Sequence, residues 1–452
     1  MNLFRSPLCP RAVAGLLPLA LALLAVTGAA QPMDSDAPLR VSANHRYLVD
    51  RHDVPFLLQG DAAWSLIANT TPEEASAYLR NRRAKGFNAI LVNLIEHKFA
   101  KNAPRDLAGE APFAGGADFS APNEKYFAHA DQVLREAAAN GIVVLLAPVY
   151  LGYPGTDEGF FNEVLAAGPE RCRAYGRFLG RRYRDFDNLI WVMGGDRDPG
   201  PALAGVDAVA EGIREADRRH LMTAHCHGGT NPTEVYPGAW LQIGTTYNYE
   251  VVHLHVTWDH DRKPTLPYFL IEAIYEGEHN SSPVQIRRQA YWSVLCGGFG
   301  HVLGNHPIWD FSAGWPAALD APGSVAMMHW GRLFRSRPWS ELVPDEAHQL
   351  VTGGLGEFWG NDYVAAAATP DGRTLISYLP SARTITVDLA KLGPPRFNAW
   401  WFDPRTGQAT AAGTFPPQPA QQFTPPAEGD WVFVLDDAAR ALPPPGGAAA
   451  PN

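Results

Sequence analysis

The strongest constraint on this chain is an alternation: between residues 54 and 304, eight short apolar runs are separated by segments with helical signals. The runs fall at 54–58, 87–94, 142–150, 188–193, 221–225, 240–247, 268–272 and 300–304. Most are apolar throughout rather than at every second residue, the pattern of parallel strands covered by helices on both faces. The intervening helices are marked at their ends. Thr71-Pro72-Glu73-Glu74 supplies a capping hydroxyl, a proline at the first helical position and an acidic first turn, and Gly86 supplies the stop. Helices are likewise expected at 123–140, 169–184, 202–219 and 283–295, with a weaker signal at 250–258. Eight strand and helix units within about 250–290 residues predict an α/β fold of the (β/α)8 type, a TIM barrel. A doubly wound open sheet is the rival. It would carry a glycine-rich phosphate turn after the first strand, where this chain has Gly60-Asp-Ala-Ala-Trp64.

Beyond residue 344 the pattern changes to short runs at 363–368, 374–379, 384–389, 398–402 and 430–435, punctuated by Pro-Asp-Gly, Pro-Pro and Pro-Arg-Thr-Gly. That spacing predicts a small antiparallel β-sandwich. With 452 residues, 46% of them hydrophobic, the chain has enough apolar material for two folded units. The expected division is a signal peptide at 1–30, a polar leader at 31–40, a catalytic barrel at 41–343, the sandwich at 344–437 and a disordered tail at 438–452. A hairpin at 41–53 feeds the first barrel strand. Arg5 and Arg11 precede the apolar run 12–26, and Gly28-Ala29-Ala30 follows it. This is the layout of a secretory signal, so a periplasmic or extracellular location is expected. No cysteine sits at the cut, which argues against a lipoprotein, and no later run reaches the ~20 apolar residues of a membrane span.

Loss of Arg5 and Arg11 leaves 35 basic residues against 47 acidic ones, a net charge of −12 instead of −10. Without a basic run, such a chain is a poor binder of nucleic acid or anionic membranes. Cys172, Cys226 and Cys296 remain after the signal. Their odd number means at least one free thiol, and a large domain needs no disulfide staple.

The barrel reading gives chemical meaning to the strand ends, because barrel active sites form at the C-terminal face. There the chain places Asp61 and Trp64, Asn93, Tyr150, Asp196, His225 and His227, Tyr247 and Asn248, Glu272 and Glu276, and Asn305 and Trp309. In Asn188-Leu-Ile-Trp-Val-Met-Gly-Gly-Asp196 the apolar run stops at two glycines and then presents a carboxylate. Asp196 could instead cap the helix expected near Pro201. Glu272 ends the seventh strand, across the ring from the fourth, and is favoured over Glu276 because it directly follows the apolar run. Two carboxylates facing each other suit a glycosidic bond, which needs one group to protonate the leaving oxygen and another at the anomeric carbon.

Trp64, Tyr150, Tyr247 and Trp309 suit a sugar subsite, with Asp61, Asn93, His225, His227, Asn248 and Glu276 as hydroxyl partners. Each aromatic residue taken singly has a core position as its ordinary explanation. His225-x-His227 and His253-x-His255 raise the alternative of a zinc site, but the first strand lacks the histidine pair with which barrel metal hydrolases usually begin. No metal or cofactor is expected.

Three motifs carry a resemblance. Leu58-Gln-Gly-Asp-Ala-Ala-Trp64, Trp191-Val-Met-Gly-Gly-Asp196 and Glu272-Ala-Ile-Tyr-Glu-Gly277 together resemble the apiosidase-like glycoside hydrolases of family 140, a barrel family. The resemblance spans 41–344, and the remainder is similar to the small collagen-binding-type β-domain that follows such barrels. It implies that Asp196 is the acid/base and Glu272 the nucleophile. Ala273 departs from the proline more usual after this glutamate. The expectation is therefore an exported glycoside hydrolase acting on a plant or microbial polysaccharide. A non-catalytic carbohydrate-binding or adhesion protein is the alternative, and a metal-dependent hydrolase the third reading.

Overall fold

The computed structural model describes residues 38–116 and 118–447. The predicted signal peptide, most of the leader and the last five residues of the tail lie outside the described residues. Three short antiparallel strands, β1 (Leu39–Val41), β2 (Leu48–Asp50) and β3 (Pro55–Phe56), form a small sheet: β2 and β3 are the expected hairpin, and a turn splits the run 41–49 into two strands. The first barrel strand is displaced toward the motif, to β4 (Leu58–Ala62). It is followed by β5 (Ala89–Asn93), β6 (Val143–Ala147), β7 (Leu189–Gly194), β8 (Met222–His225), β9 (Gly244–Tyr247), β10 (Tyr268–Glu272) and β11 (Gly300–Leu303).

These eight strands are all parallel, in the order β8-β7-β6-β5-β4-β11-β10-β9. The two end strands form no continuous ladder: the Gln242 N–H donates to the Met222 carbonyl at 3.0 Å, and two hydroxyls bridge the rest of the seam. Thr223 Oγ1 donates to the Ile243 carbonyl at 2.8 Å and Thr245 Oγ1 to the Ala224 carbonyl at 2.6 Å. The buried β-hydroxyls thus satisfy carbonyls that a missing strand-to-strand bond would leave orphaned. Nearly every residue of β4–β11 is buried, as the uninterrupted apolar runs require.

Helix Pro72–Ala84 starts with the full capping box at Thr71 and Glu74. Helix Phe161–Tyr183 begins earlier than the sequence suggests because two helices meet at Gly168 (φ +68°), where Pro169 starts the second. The weak segment at 250–258 forms helix Val252–Asp261. In the excursion 96–122, no helix forms among the described residues. Phe113 and Phe119 instead bury themselves against Tyr175, with ring centroids 5.4 and 5.3 Å away. Only part of this segment therefore faces the barrel mouth.

The C-terminal region holds β12 (Val343–Pro344), β13 (Val351–Gly353), β14 (Ala365–Ala368), β15 (Thr374–Leu379), β16 (Ile385–Val387), β17 (Phe397–Phe402), β18 (Ala409–Phe415), β19 (Gln421–Phe423) and β20 (Trp431–Asp437). They form a six-stranded antiparallel sheet, β12-β14-β15-β20-β17-β18, and a three-stranded one, β13-β16-β19. The period-two rule sorts the large sheet cleanly. Trp431, Phe433 and Leu435 of β20 and Leu375 and Leu379 of β15 point between the sheets. Val432, Val434, Ile376 and Tyr378 point the other way and join the core of the barrel helices.

Two buried ion pairs fix that second face, Arg287 with Asp430 and Arg337 with Asp436, and Tyr291 stacks on Tyr378 at 4.7 Å. A sheet covered on both sides explains the four alanines of β14. Part of the tail is ordered: Arg337 Nη2 donates to the Pro443 carbonyl and the Gly446 N–H to Ser336 Oγ, so residues 438–447 are docked and not free. No described helix is long and apolar enough to cross a membrane. Cys172, Cys226 and Cys296 are free and buried.

Candidate active site

The fourth barrel strand, β7, ends in a backbone that only glycine can follow. Gly194 has φ +80° and Gly195 φ +140°. A Cβ on Gly194 would lie 2.5 Å from the His225 carbonyl oxygen, and one on Gly195 2.5 Å from the Tyr150 ring. The path then forces Asp196 itself to φ +51°, with the Arg197 N–H donating to the Gly195 carbonyl at 2.7 Å across a three-residue turn. Strain of this kind is held by its surroundings and is typical of functional positions. The helix after it starts at Gly200 without any side-chain cap, so Asp196 does not serve as one.

Glu272 is aimed by a different device. Between Leu270 and Glu272 the pairing with β9 slips, so that one extra residue of β10 bulges and reorients the side chain at the strand end. Glu272 is buried, and each of its oxygens accepts one bond: Oε1 from the Tyr249 hydroxyl at 2.9 Å, Oε2 from His225 Nε2 at 2.7 Å. His225 Nδ1 in turn accepts the backbone N–H of Asp196 at 3.0 Å. With Nδ1 an acceptor, the imidazole is assigned the tautomer protonated on Nε2. Burial works to lower the His225 pKa, yet the bond and charge of Glu272 and the charge of Asp196 raise it overall.

Asp196 and Glu272 each bring an oxygen within 4.8 Å of the other and of a His225 nitrogen. Burial, followed by the charge of Glu272, pushes the Asp196 carboxyl up to about 6, against opposing influences from His225, a hydrogen bond with Tyr150 and His227. The two acids open into a cavity of about 200 Å³ lined also by Trp64, Asn93, Phe99, Tyr150, Glu158, Tyr249, Tyr275, Glu278 and Trp309. Glu158 is itself raised, first by burial and then by the Asp196 charge.

Of the residues singled out from sequence, Trp64, Asn93, Tyr150, Asp196, Glu272 and Trp309 meet at this cavity. Trp64 donates from Nε1 to the Tyr275 hydroxyl at 3.0 Å, and Trp309 from Nε1 to Glu278 Oε1 at 2.8 Å. His225 and Tyr247 stand behind the lining, with ring centroids 5.1 Å apart. His227 is exposed on the following loop.

Three others are structural. Asp61 points into the wall, fully buried against Arg82 at 2.6 Å and the Tyr78 hydroxyl at 2.6 Å. Asn248 accepts the N–H groups of Glu250 and Val251 and shapes the turn after β9. Glu276 accepts from Asn305 Nδ2 and from the Gly323 N–H at 2.7 Å each, tying two loops together. Phe99, Glu158, Tyr249, Tyr275 and Glu278 were missed. For Tyr249 and Tyr275 a signal existed, since both lie within three residues of a strand end already singled out. Glu158 and Glu278 sit in loops, where periodicity says nothing.

The second histidine pair does not reach the site: His253 stacks on Tyr363 at 4.5 Å and bonds the Phe358 carbonyl. Asp196, His225 and Glu272 are close enough to share a cation. Both imidazole nitrogens are committed, however, Nδ1 to the Asp196 N–H and Nε2 to Glu272, so no histidine lone pair is available without breaking the link between the acids.

Comparisons with known proteins identify the family. Residues 42–341 match the family model described as apiosidase-like, catalytic domain, and residues 343–436 match the family that carries the provisional label of collagen-binding domain of a collagenase. No curated protein matches. A solved glycoside hydrolase shares 26% identity and a TM-score of 0.79, covering 90% of this chain and 98% of the other. A glycoside hydrolase family 5 protein from Bacteroides vulgatus also shares 26% identity, with a TM-score of 0.81 and coverage of 92% and 96%. The chain is a glycoside hydrolase and belongs to the apiosidase-like catalytic-domain family.

Proposed function

We propose that the protein is an exported, retaining glycosidase that removes a sugar from a plant or microbial polysaccharide, with Asp196 as acid/base and Glu272 as nucleophile. The observation that carries this reading is the asymmetry of the pair. Asp196 is pushed to about 6, where a carboxyl can both give and take a proton near neutrality. Glu272 accepts a bond on each oxygen and is pointed at the same space. An oxygen pair within 4.8 Å is in keeping with the short separation of retaining enzymes, ~5–5.5 Å between carboxyl groups, where inverting ones have ~6.5–9.5 Å to leave room for a water.

In the first step Asp196 gives its proton to the glycosidic oxygen as that C–O bond breaks and Glu272 bonds the anomeric carbon. In the second, Asp196 takes a proton from water, the water oxygen bonds the anomeric carbon and Glu272 leaves. Trp64, Tyr150 and Trp309 line the space that the sugar would occupy, and the small cavity suits one terminal residue rather than a threaded chain. The family suggests apiose for that residue.

The test is a screen of apiose-containing pectin fragments and aryl glycosides, with the anomer first released read by proton NMR. Release with retained configuration is expected. An inverted product would overturn the mechanism, and no release from any substrate would overturn the activity. Export is tested by fractionation and N-terminal sequencing of the mature chain, with cleavage near residue 30 expected.

A further inference from the structure

Among the described residues, three large aromatic side chains stay exposed side by side: Trp359 (68%), Trp258 (46%) and Phe358 (39%). Trp258 belongs to helix Val252–Asp261 of the barrel, whereas Phe358 and Trp359 belong to the loop between β13 and β14. The Trp258 and Trp359 rings lie 6.0 Å apart at 59°, and the Phe358 and Trp359 rings 5.8 Å apart at 82°. The loop is tethered. His253 bonds the Phe358 carbonyl, Phe358 packs edge-on to Tyr363, and Asp362 accepts from the Glu357 N–H and from Arg383.

A chain of packed residues links this surface to the wall of the catalytic cavity. Trp258 touches His255 at 5.1 Å, and a Cβ on Gly229 would meet the His255 ring at 3.6 Å. The Gly229 N–H donates to the Tyr247 carbonyl, and Tyr247 packs at 5.5 Å on Tyr249, which holds Glu272. The patch is too small for a stable protein interface. With whole aromatic side chains at ~150–250 Å², the exposed fractions amount to roughly 350 Å², against ~800 Å² per partner in a standard complex.

We propose that Trp258 and Trp359 form an accessory carbohydrate platform, outside the catalytic cavity, that holds the pyranose chain of the polysaccharide where a barrel helix meets the β-domain. Indole faces pack against the C–H face of a pyranose while its hydroxyls stay in water, and two tilted rings 6.0 Å apart offer consecutive contacts to a twisted chain. The inference rests on the chain being a glycosidase, and gives the β-domain a share in substrate binding.

The test compares wild type, Trp258→Ala, Trp359→Ala and the double variant by native electrophoresis in gels containing pectin, arabinogalactan, xyloglucan or mannan. Thermal melting and aryl-glycoside hydrolysis are followed in parallel. Retardation of the wild type in at least one gel is expected, weakened roughly tenfold by each substitution, with melting and small-substrate turnover kept. Wild type unretarded in every gel, or variants retarded equally, would overturn the platform. Parallel loss of small-substrate turnover in well-folded variants would also overturn it, by placing the two residues in the cavity. A dimer in sedimentation that Trp359→Ala abolishes would overturn it in favour of a second copy of the chain. Retardation without hydrolysis of any glycoside would sink the glycosidase reading and leave the platform standing.

Discussion

The backbone N–H of Asp196 is bonded to His225 Nδ1 at 3.0 Å, so the residue that carries the acid is held through its main chain while its carboxyl, bonded by Tyr150, lines the cavity. The other nitrogen of the same ring bonds Glu272 at 2.7 Å. One imidazole therefore sets the spacing of the two acids, and the strained turn at Gly194 and Gly195 delivers Asp196 to it.

Asp196→Asn and Glu272→Gln should each lower kcat/KM by about 10²–10⁴. The two differ in leaving-group dependence. With nitrophenyl glycosides, whose aglycone departs without protonation, the Asp196 variant should lose least, and the Glu272 variant should gain no such relief. Glu276→Gln should retain turnover in the folded protein while lowering Tm, because Glu276 ties the Asn305 and Gly323 loops. Steady-state kinetics across a leaving-group series check the first two, and kinetics together with thermal melting check the third.

The pH profile follows from Asp196. As a general acid it works when protonated, so kcat/KM should fall as pH rises through about 6. The hydrogen bond from Tyr150 favours the ionised form, so Tyr150→Phe should move that descending limb to higher pH.

Raised carboxyls carry a stability consequence of definite sign. Asp196 binds its proton more tightly folded than unfolded, so its ionised form costs stability. The cost is absent below the ordinary value of 3.8, grows with pH and is complete above about 6. Asp196→Asn should therefore raise Tm by a few degrees at pH 8, with the gain shrinking toward zero near pH 4. Calorimetry at the two pH values decides this.

Asp61 separates structure from catalysis. It and Arg82 are both fully buried, and removing one partner of such a pair typically costs ~3–5 kcal/mol. Asp61→Asn should lower the urea midpoint sharply while the folded fraction keeps its KM. A raised KM with an unchanged midpoint would contradict this.

A chelator should leave turnover unchanged, because both His225 nitrogens are already engaged. Inactivation by EDTA that zinc restores would mean that the link between the acids opens around a cation.

The sequence alone determined the repeating unit: eight apolar runs, the capping box at Thr71 and the stop at Gly86 are local signals with local causes. It also showed that Asp196 and Glu272 end strands, because glycine pairs and the ends of apolar runs are visible in one dimension. Tertiary structure decided which strand-end groups face the cavity. Asp61, Glu276 and Asn248 occupy the same kind of position as Asn93 and Glu272, yet each turns to a partner that lies 21, 29 or only two residues away along the chain. Glu158 and Glu278 reach the cavity from loops that have no period to read. The aim of Glu272 depends on a bulge between two strands, and that of Asp196 on a carbonyl and an imidazole supplied by β8 and a ring from the loop after β6. Burial and pairing are relations between distant segments, so they arise only when the ring closes.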